Sequence, residues 1–180
     1  MKQPAKVSKR KILFVCLGNI CRSPIAQGVF THLAEHRGLD DQFLVESAGL
    51  GSWHIGNPPD NRAQAAMRIR DIDISEIRAR RVCEEDFERF DLILAMDRSN
   101  RDGLLKLAPP QHHHKIALLM SYAPNRCIKE IPDPFFGELD GFDYAYQLIE
   151  AACRGLLVKL TTRVPALQAT PTSPSASLNG

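Results

Sequence analysis

The sequence has no uninterrupted apolar run near the ~20 residues of a membrane-spanning helix. Its opening stretch, MKQPAKVSKRK, is basic but lacks the apolar segment of a secretion signal. There is no pair of C-x-x-C motifs, which argues against a structural zinc site. The five cysteines, Cys16, Cys21, Cys83, Cys127 and Cys153, are odd in number and scattered, unlike a disulfide framework. No internal repeat is present. These absences leave a cytoplasmic, soluble, single-domain protein as the expectation for 180 residues, long enough to bury a substantial core.

The net charge of +2 misleads. Five of the 23 Lys and Arg fall within residues 1–11 and Arg163 stands near the other end. Residues 12–160 therefore hold 17 basic side chains against all 21 acidic ones, a net of −4. The body of the chain carries no basic footprint for nucleic acid.

What is present is an alternation of apolar runs and helical patterns. KILFVC (11–16) reads as a buried strand, and Ser23-Pro24 as a helix start with a capping hydroxyl. FLVESAG (43–49), FDLILAM (90–96) and KIALLMS (115–121) read as three more strands. Helices are expected over 61–71, over the short stretch 84–89, after a cap at Asp97 or Ser99, and over 142–160. Residues 50–60 and 130–141 read as loops from their Gly, Asn and Pro. Strands alternating with helices predict an α/β fold: a small doubly wound four-stranded parallel sheet with helices on both faces. Ligands bind such sheets at the carboxyl ends of strands. Residues 1–10 read as a flexible basic extension, 11–161 as the folded domain, and 162–180, rich in Pro, Ser and Thr, as a disordered tail.

The stretch after the first strand, CLGNICRSP (16–24), carries the chemistry. A strand-to-helix turn aims successive backbone N–H groups into one concavity, and the helix N-terminus adds positive potential. Gly18 allows a backbone conformation closed to most residues, and Asn19 tolerates the left-handed region. Arg22 can fork onto two phosphate oxygens. The same field favours a thiolate at Cys16, which would face a cradled phosphorus as an in-line nucleophile. Ser23 can donate to that sulfur. C-x5-R spacing by itself is weak, because Cys83 to Arg89 has it too. There the interior is Glu84, Glu85, Asp86 and Glu88, which repels a phosphate and raises the thiol pKa.

VCLGNICRSP resembles the signature of the low-molecular-weight protein tyrosine phosphatases. ESAG (46–49), GNPPD (56–60), EDFERFDLILAMDRSN (85–100) and DPFF (133–136) resemble that family too, in the same order, so the likeness covers roughly residues 11 to 160. It implies hydrolysis of phosphotyrosine with Cys16 as nucleophile, Arg22 as phosphate clamp and Asp133 as general acid. A phenolate leaves phosphorus poorly unless it is protonated as it departs. The likeness implies a phosphate cradle of Leu17, Gly18, Asn19, Ile20, Cys21 and Ser23, and aromatic walls from Trp53, Phe135 and Phe136. It implies a polar network of Asn19, Ser23 and Ser47 that supports the loop. Cys21 is then the redox partner of Cys16, forming a disulfide that protects the thiolate. No cofactor or metal is implied, the partners are phosphotyrosine-containing proteins, and a monomer is the default.

Two departures stand out. Many members carry a histidine in S-G-H-x-A-R, where this chain reads SEIRAR with Ile77. Tyrosines are common beside the acid, where this chain has Phe135 and Phe136, which lack the hydroxyl that phosphorylation needs. Taken singly, Asp133 before Pro134 also reads as a turn residue, Trp53, Phe135 and Phe136 as loop packing, and Asp97 as a helix cap. Glu46 reads as a solvated or edge-strand charge, and His112, His113 and His114, which could suggest a metal site, read as a solvated loop because adjacent positions point different ways. Two other functions fit the same loop. An arsenate reductase needs a spaced cysteine pair around Cys83, which has no neighbour of that kind. A phosphopeptide-binding module would lack the nucleophile or the acid.

Overall fold

The computed structural model describes residues 8–137 and 139–162. Residues 1–7 of the expected 1–10 extension and 163–180 of the expected 162–180 tail lie outside the described residues. Strand β1, Arg10–Cys16, pairs in parallel with β2, Phe43–Gly49, on one side and with β3, Leu92–Ala95, on the other. Strand β4, Ile116–Leu118, adds to β3, giving the order β2-β1-β3-β4, all parallel. The chain steps from β1 to one side for β2 and then crosses to the other side for β3. The carboxyl end of β1 is therefore a switch point, where a crevice opens between diverging connections.

Alternation along β1 divides the core. Ile12, Phe14 and Cys16 face α1, Arg22–Glu35, and α5, Leu139–Thr161. Leu13 and Val15 face the opposite layer with Phe87, Phe90, Ile93 and Leu104. That layer holds α3, Glu84–Arg89, and α4, Arg98–Leu107. Because β1 is buried on both faces, it reads as a continuous apolar run rather than an alternating one. The α/β fold with helices on both faces is as expected.

Several boundaries differ. β1 begins one residue early, at Arg10. β3 and β4 are shorter than their apolar runs, and Leu119–Tyr122 turns into a 3-10 segment instead of continuing β4. Helix α2 spans Asn61–Arg68 and stops short of the expected Asp71, which itself sits in the left-handed region at φ 57°. Helix α5 begins at Leu139, inside the expected loop. Residues Pro110–Lys115, with the three histidines, form a 3-10 turn in which His113 Nε2 lies 3.0 Å from the Ala108 carbonyl.

The cap of α1 needs correction. Cys21, not Ser23, is the N-cap residue, and no side chain caps the helix. The Ser23 hydroxyl lies within the first turn and faces Cys16 instead. The uncapped end leaves the first-turn amides of α1 directed at the loop before it.

Helix α5 closes over the 3-10 segment at Gly155, where an added Cβ would stand 1.9 Å from the Tyr122 carbonyl oxygen. Backbone cannot yield as a side-chain tip can. Gly155→Ala is expected to lower stability by about 1–3 kcal/mol, as overpacking does, read as a drop in Tm of several degrees.

Candidate active site

The loop from Leu17 to Cys21 leaves the end of β1 and curls back over Cys16. The left-handed residue is Asn19, at φ 56°, and not Gly18. The expectation for Gly18 is corrected accordingly. Its bare Cα makes room for the His54 ring, whose Cδ2 would lie 3.1 Å from an added Cβ. Gly49, at the end of β2, is also needed bare, since a Cβ there would stand 2.9 Å from the Leu17 carbonyl and 3.0 Å from the Asn19 nitrogen.

The curl sets its donors inward. The Asn19 N–H points at Cys16 Sγ at 3.3 Å and the Ser23 Oγ lies 3.0 Å from the same sulfur. Among the described residues nothing accepts from the N–H groups of Gly18, Ile20 and Cys21. Successive unsatisfied N–H groups around a helix N-terminus make an anion cradle.

Behind the loop lies a buried polar relay. Asn19 Nδ2 donates to Ser23 Oγ and to Ser47 Oγ, both at 2.9 Å, and Asn19 Oδ1 accepts from the Arg80 N–H at 2.9 Å. Ser47 in turn donates to Gln27 Oε1 at 2.7 Å. Ile77, at the place of the family histidine, packs half-buried against the core. The Arg80 backbone N–H serves the Asn19 side-chain carbonyl. Arg80 itself is held by Asp86 at 2.8 Å and by Glu46 at 3.1 Å. Glu46, whose sequence position suggests a solvated or edge-strand charge, also pairs with Arg89.

Arg22 is buried at the base of the site, its side chain 3% exposed. Nη1 donates to Asp97 Oδ2 at 2.5 Å and to the Ile131 carbonyl at 3.0 Å; Nη2 donates to Asp133 Oδ2 at 2.9 Å. Burial works against its charge, but Cys16, Asp97 and Asp133 outweigh burial and the guanidinium pKa is raised. Asp97 does two jobs. Its Oδ1 caps α4 at the Asn100 N–H, 2.7 Å away, and its Oδ2 anchors Arg22. Asp133 is held by Arg22 and accepts from the Phe135 N–H at 3.1 Å, yet its side chain stays 40% exposed.

These groups line one cavity of about 240 Å³. Cys16, Cys21 and Arg22 form its floor with Leu17, Gly18 and Ile20. Trp53, Phe135 and Phe136 form its walls with Asp133 at one edge. Trp53 is 70% and Phe136 95% exposed, and Phe135 and Phe136 meet edge to face at 4.9 Å. Asn19, Ser23 and Ser47 do not line the cavity; they stand behind the loop and reach it through the sulfur and the relay. Cys21 is buried and unpaired, its thiol pKa pushed up by burial and then by Asp60, Cys16 and Asp133.

Three residues of the site went unnoticed in the sequence. His54 lines the cavity beside Phe135, their rings 6.4 Å apart. Arg62 pairs with Asp60 and donates to the carbonyls of Phe135 and Gly137, both at 3.0 Å, pinning the Asp133 loop to α2. Asp60 caps α2 while its N–H reaches the Ile20 carbonyl at 2.8 Å. In the sequence Asp97 reads only as a cap. An Asp that begins a helix directly after a central strand could have signalled its second role, since it lies at the sheet's ligand-binding edge. The other cysteines stand apart from the cavity. Cys83 is the exposed N-cap of α3, its thiol pKa raised by desolvation and by Glu85 and Asp86. Cys153 is enclosed in α5 and its thiol pKa is raised by burial.

Residues 11–166 match the family of low molecular weight phosphotyrosine protein phosphatases. The chain belongs to this family. The family member from Homo sapiens is 41% identical over 157 residues, spanning 86% of this chain and 98% of its own length. YfkJ of Bacillus subtilis, a low molecular weight protein-tyrosine-phosphatase, is 40% identical over 149 residues, 83% of this chain and 94% of its own. The YfkJ crystal structure superposes with a TM-score of 0.81, covering 87% of this chain and 98% of that one at 38% identity. A protein tyrosine phosphatase from Entamoeba histolytica gives 0.81 as well, at 37% identity over 84% of this chain and 97% of that one. Among the described residues no helix is long and apolar enough to cross a membrane.

In this phosphatase the segment that orients Asn19 hangs on the Arg80–Asp86 pair. Burial alone would raise the Asp86 pKa, but Arg80 and the Cys83 N–H overcome it and the pKa lies below its ordinary 3.8. A depressed carboxyl pKa stabilises the folded state above the unfolded value, and that contribution is lost as pH falls through the folded one. Asp86→Asn should therefore be less stable than wild type at neutral pH. Its stability should fall less steeply on going from about pH 5 to about pH 3, as urea denaturation at each pH would read.

Proposed function

We propose that the chain hydrolyses phosphotyrosine and other aryl phosphates through a phosphocysteine intermediate. The observation that carries this reading is the convergence of Cys16, Arg22 and Asp133 on one cavity with apolar walls. The phosphate enters the loop and takes the Gly18, Ile20 and Cys21 N–H groups and the Nη2 edge of Arg22. Asp97 and the Ile131 carbonyl hold the opposite nitrogen, so the fork is already aimed. Asp133 leaves Arg22 as the phosphate arrives, takes up a proton from solvent at its exposed edge, and turns as the neutral acid to the ester oxygen.

The Cys16 Sγ electron pair then forms the S–P bond while the P–O bond to the phenol breaks. Asp133 gives its proton to the departing oxygen, and the loop amides and Arg22 carry the charge on the equatorial oxygens. In the second step Asp133 takes a proton from water as the water oxygen attacks phosphorus. The sulfur leaves as a thiolate and the Ser23 hydroxyl donates to it. Trp53, Phe135 and Phe136 bracket the aryl ring, which favours phosphotyrosine over the shorter phosphoserine.

The functional unit in this reading is residues 11–161, a cytoplasmic monomer acting on phosphotyrosine-containing proteins. Cys21, in the same cavity floor, is the partner with which Cys16 forms a disulfide under oxidant, shielding it from the irreversible sulfinic and sulfonic states.

Hydrolysis of p-nitrophenyl phosphate is expected in wild type and not in Cys16→Ser; turnover by that variant would sink the mechanism. Asp133→Ala is expected to slow phenyl phosphate by roughly 10²–10⁴-fold, the usual worth of a general acid, and to slow esters of more acidic phenols far less. An equal loss across the leaving-group series would remove Asp133 from the acid role.

A further inference from the structure

We propose that Gln27 is a positioning residue of this site: its Oε1 holds the Ser47 proton and thereby directs the Ser23 proton to Cys16. The proposal rests on the reading of Cys16 as nucleophile.

Gln27 sits one helical turn beyond Ser23 on α1, half-buried, and does not line the cavity. Its effect comes from proton counting. A serine hydroxyl has one proton to give. Ser47 gives its proton to Gln27 Oε1 at 2.7 Å, so towards Asn19 it can only accept. Asn19 Nδ2 supplies both its hydrogens, one to Ser47 and one to Ser23. Ser23 is then an acceptor from Asn19, and its own proton remains for Cys16 Sγ at 3.0 Å or the Ala48 carbonyl at 3.3 Å. An anionic sulfur is the stronger claimant.

The opposite arrangement can be drawn with the same side chains. If the Asn19 amide turned over, Ser47 and Ser23 would both donate to Oδ1 and the sulfur would lose its hydroxyl donor. Two groups oppose this. The Arg80 N–H, at 2.9 Å, would face an amide nitrogen, and Gln27 Oε1 would lose the Ser47 proton. Removing the Gln27 acceptor strips one of the two and strands a buried hydroxyl proton in the present arrangement. Reversal would satisfy that proton. Gln27 thus sets the direction of a relay whose far end is the reacting atom.

The charged groups around Cys16 are Arg22 at the start of α1, Asp133 on its loop, and Asp97 through Arg22, none of them bonded to Gln27. His54 shares the cavity wall, and Asp60 with Arg62 lies on the side of Cys21. A Gln27 substitution leaves all of them in place.

The test is iodoacetate alkylation of Cys16 in the reduced protein, followed by mass spectrometry, for wild type, Gln27→Met and Gln27→Glu. At about pH 5.5 the Gln27→Met rate should fall roughly fivefold or more, as loss of a hydrogen bond to a charged group implies. The limiting rate at alkaline pH should be unchanged. Gln27→Glu keeps the shape and the acceptor and should recover most of the rate. The kcat for an aryl phosphate should fall in Gln27→Met with little change in KM. In a Ser47→Ala background Gln27→Met should have no further effect, because the two act in series. Wild-type alkylation by Gln27→Met at low pH, an equal loss in Gln27→Glu, or a full additional loss in Ser47→Ala would each overturn the proposal. Absence of turnover in wild type would overturn the phosphatase mechanism while leaving the alkylation comparison intact.

Discussion

Everything in the site hangs on one buried amide. Asn19 sits in a backbone region that few side chains adopt, and it keeps that place because each of its polar atoms is satisfied. Oδ1 ties the loop to the irregular segment at Arg80, and Nδ2 ties it to β2 through Ser47 and to α1 through Ser23. A buried amide with a missing partner would cost about 1–3 kcal/mol, so the arrangement is all or nothing. Its curl aims the Asn19 N–H at Cys16 and leaves the neighbouring N–H groups facing the cavity. The shape of the anion cradle is therefore a by-product of satisfying one side chain.

Arg22 shows the complementary strategy. A guanidinium nearly sealed from water needs compensation, and it is surrounded by Asp97, Asp133 and a carbonyl. The two carboxylates are not equivalent. Asp97 is tied down by its cap on α4, while Asp133 sits on a loop and remains partly in solvent. One partner is fixed and one can leave, so the guanidinium is rigidly held yet has an edge that a phosphate can claim. Electrostatic stabilisation of this kind needs little reorganisation when charge develops.

The fold was largely legible because β1 is buried on both faces and its helices carry ordinary periodicity. The strand–loop–helix around CLGNICRSP announced the cradle, and Asp133 with its aromatic neighbours could be placed by family resemblance. What could not be read were partnerships across the fold. Arg62 is an unremarkable arginine in a helical stretch until the acid loop folds over it. Asp97 satisfies every rule for a cap, and those rules say nothing about Arg22. Gly18 and Asn19 both tolerate unusual backbone; only packing against His54 and the relay decided which one adopts it. Shortened ends of β3 and β4 follow the same logic, since an apolar run extends as a strand only while a neighbour pairs with it.

The cradle of unpaired amides and one fixed guanidinium has a cost in discrimination. Such a receptor recognises a tetrahedral oxyanion and is indifferent to what the anion is attached to, so inorganic phosphate, the product and an abundant solute of every cell, is a standing competitor for the same seat. In the proposed reaction the aromatic walls of Trp53, Phe135 and Phe136, with Asp133 at the ester oxygen, are what would distinguish an ester from the bare ion. Occupancy in the cell is then a contest between a small amount of ligand gripped at both ends and a large amount gripped at one.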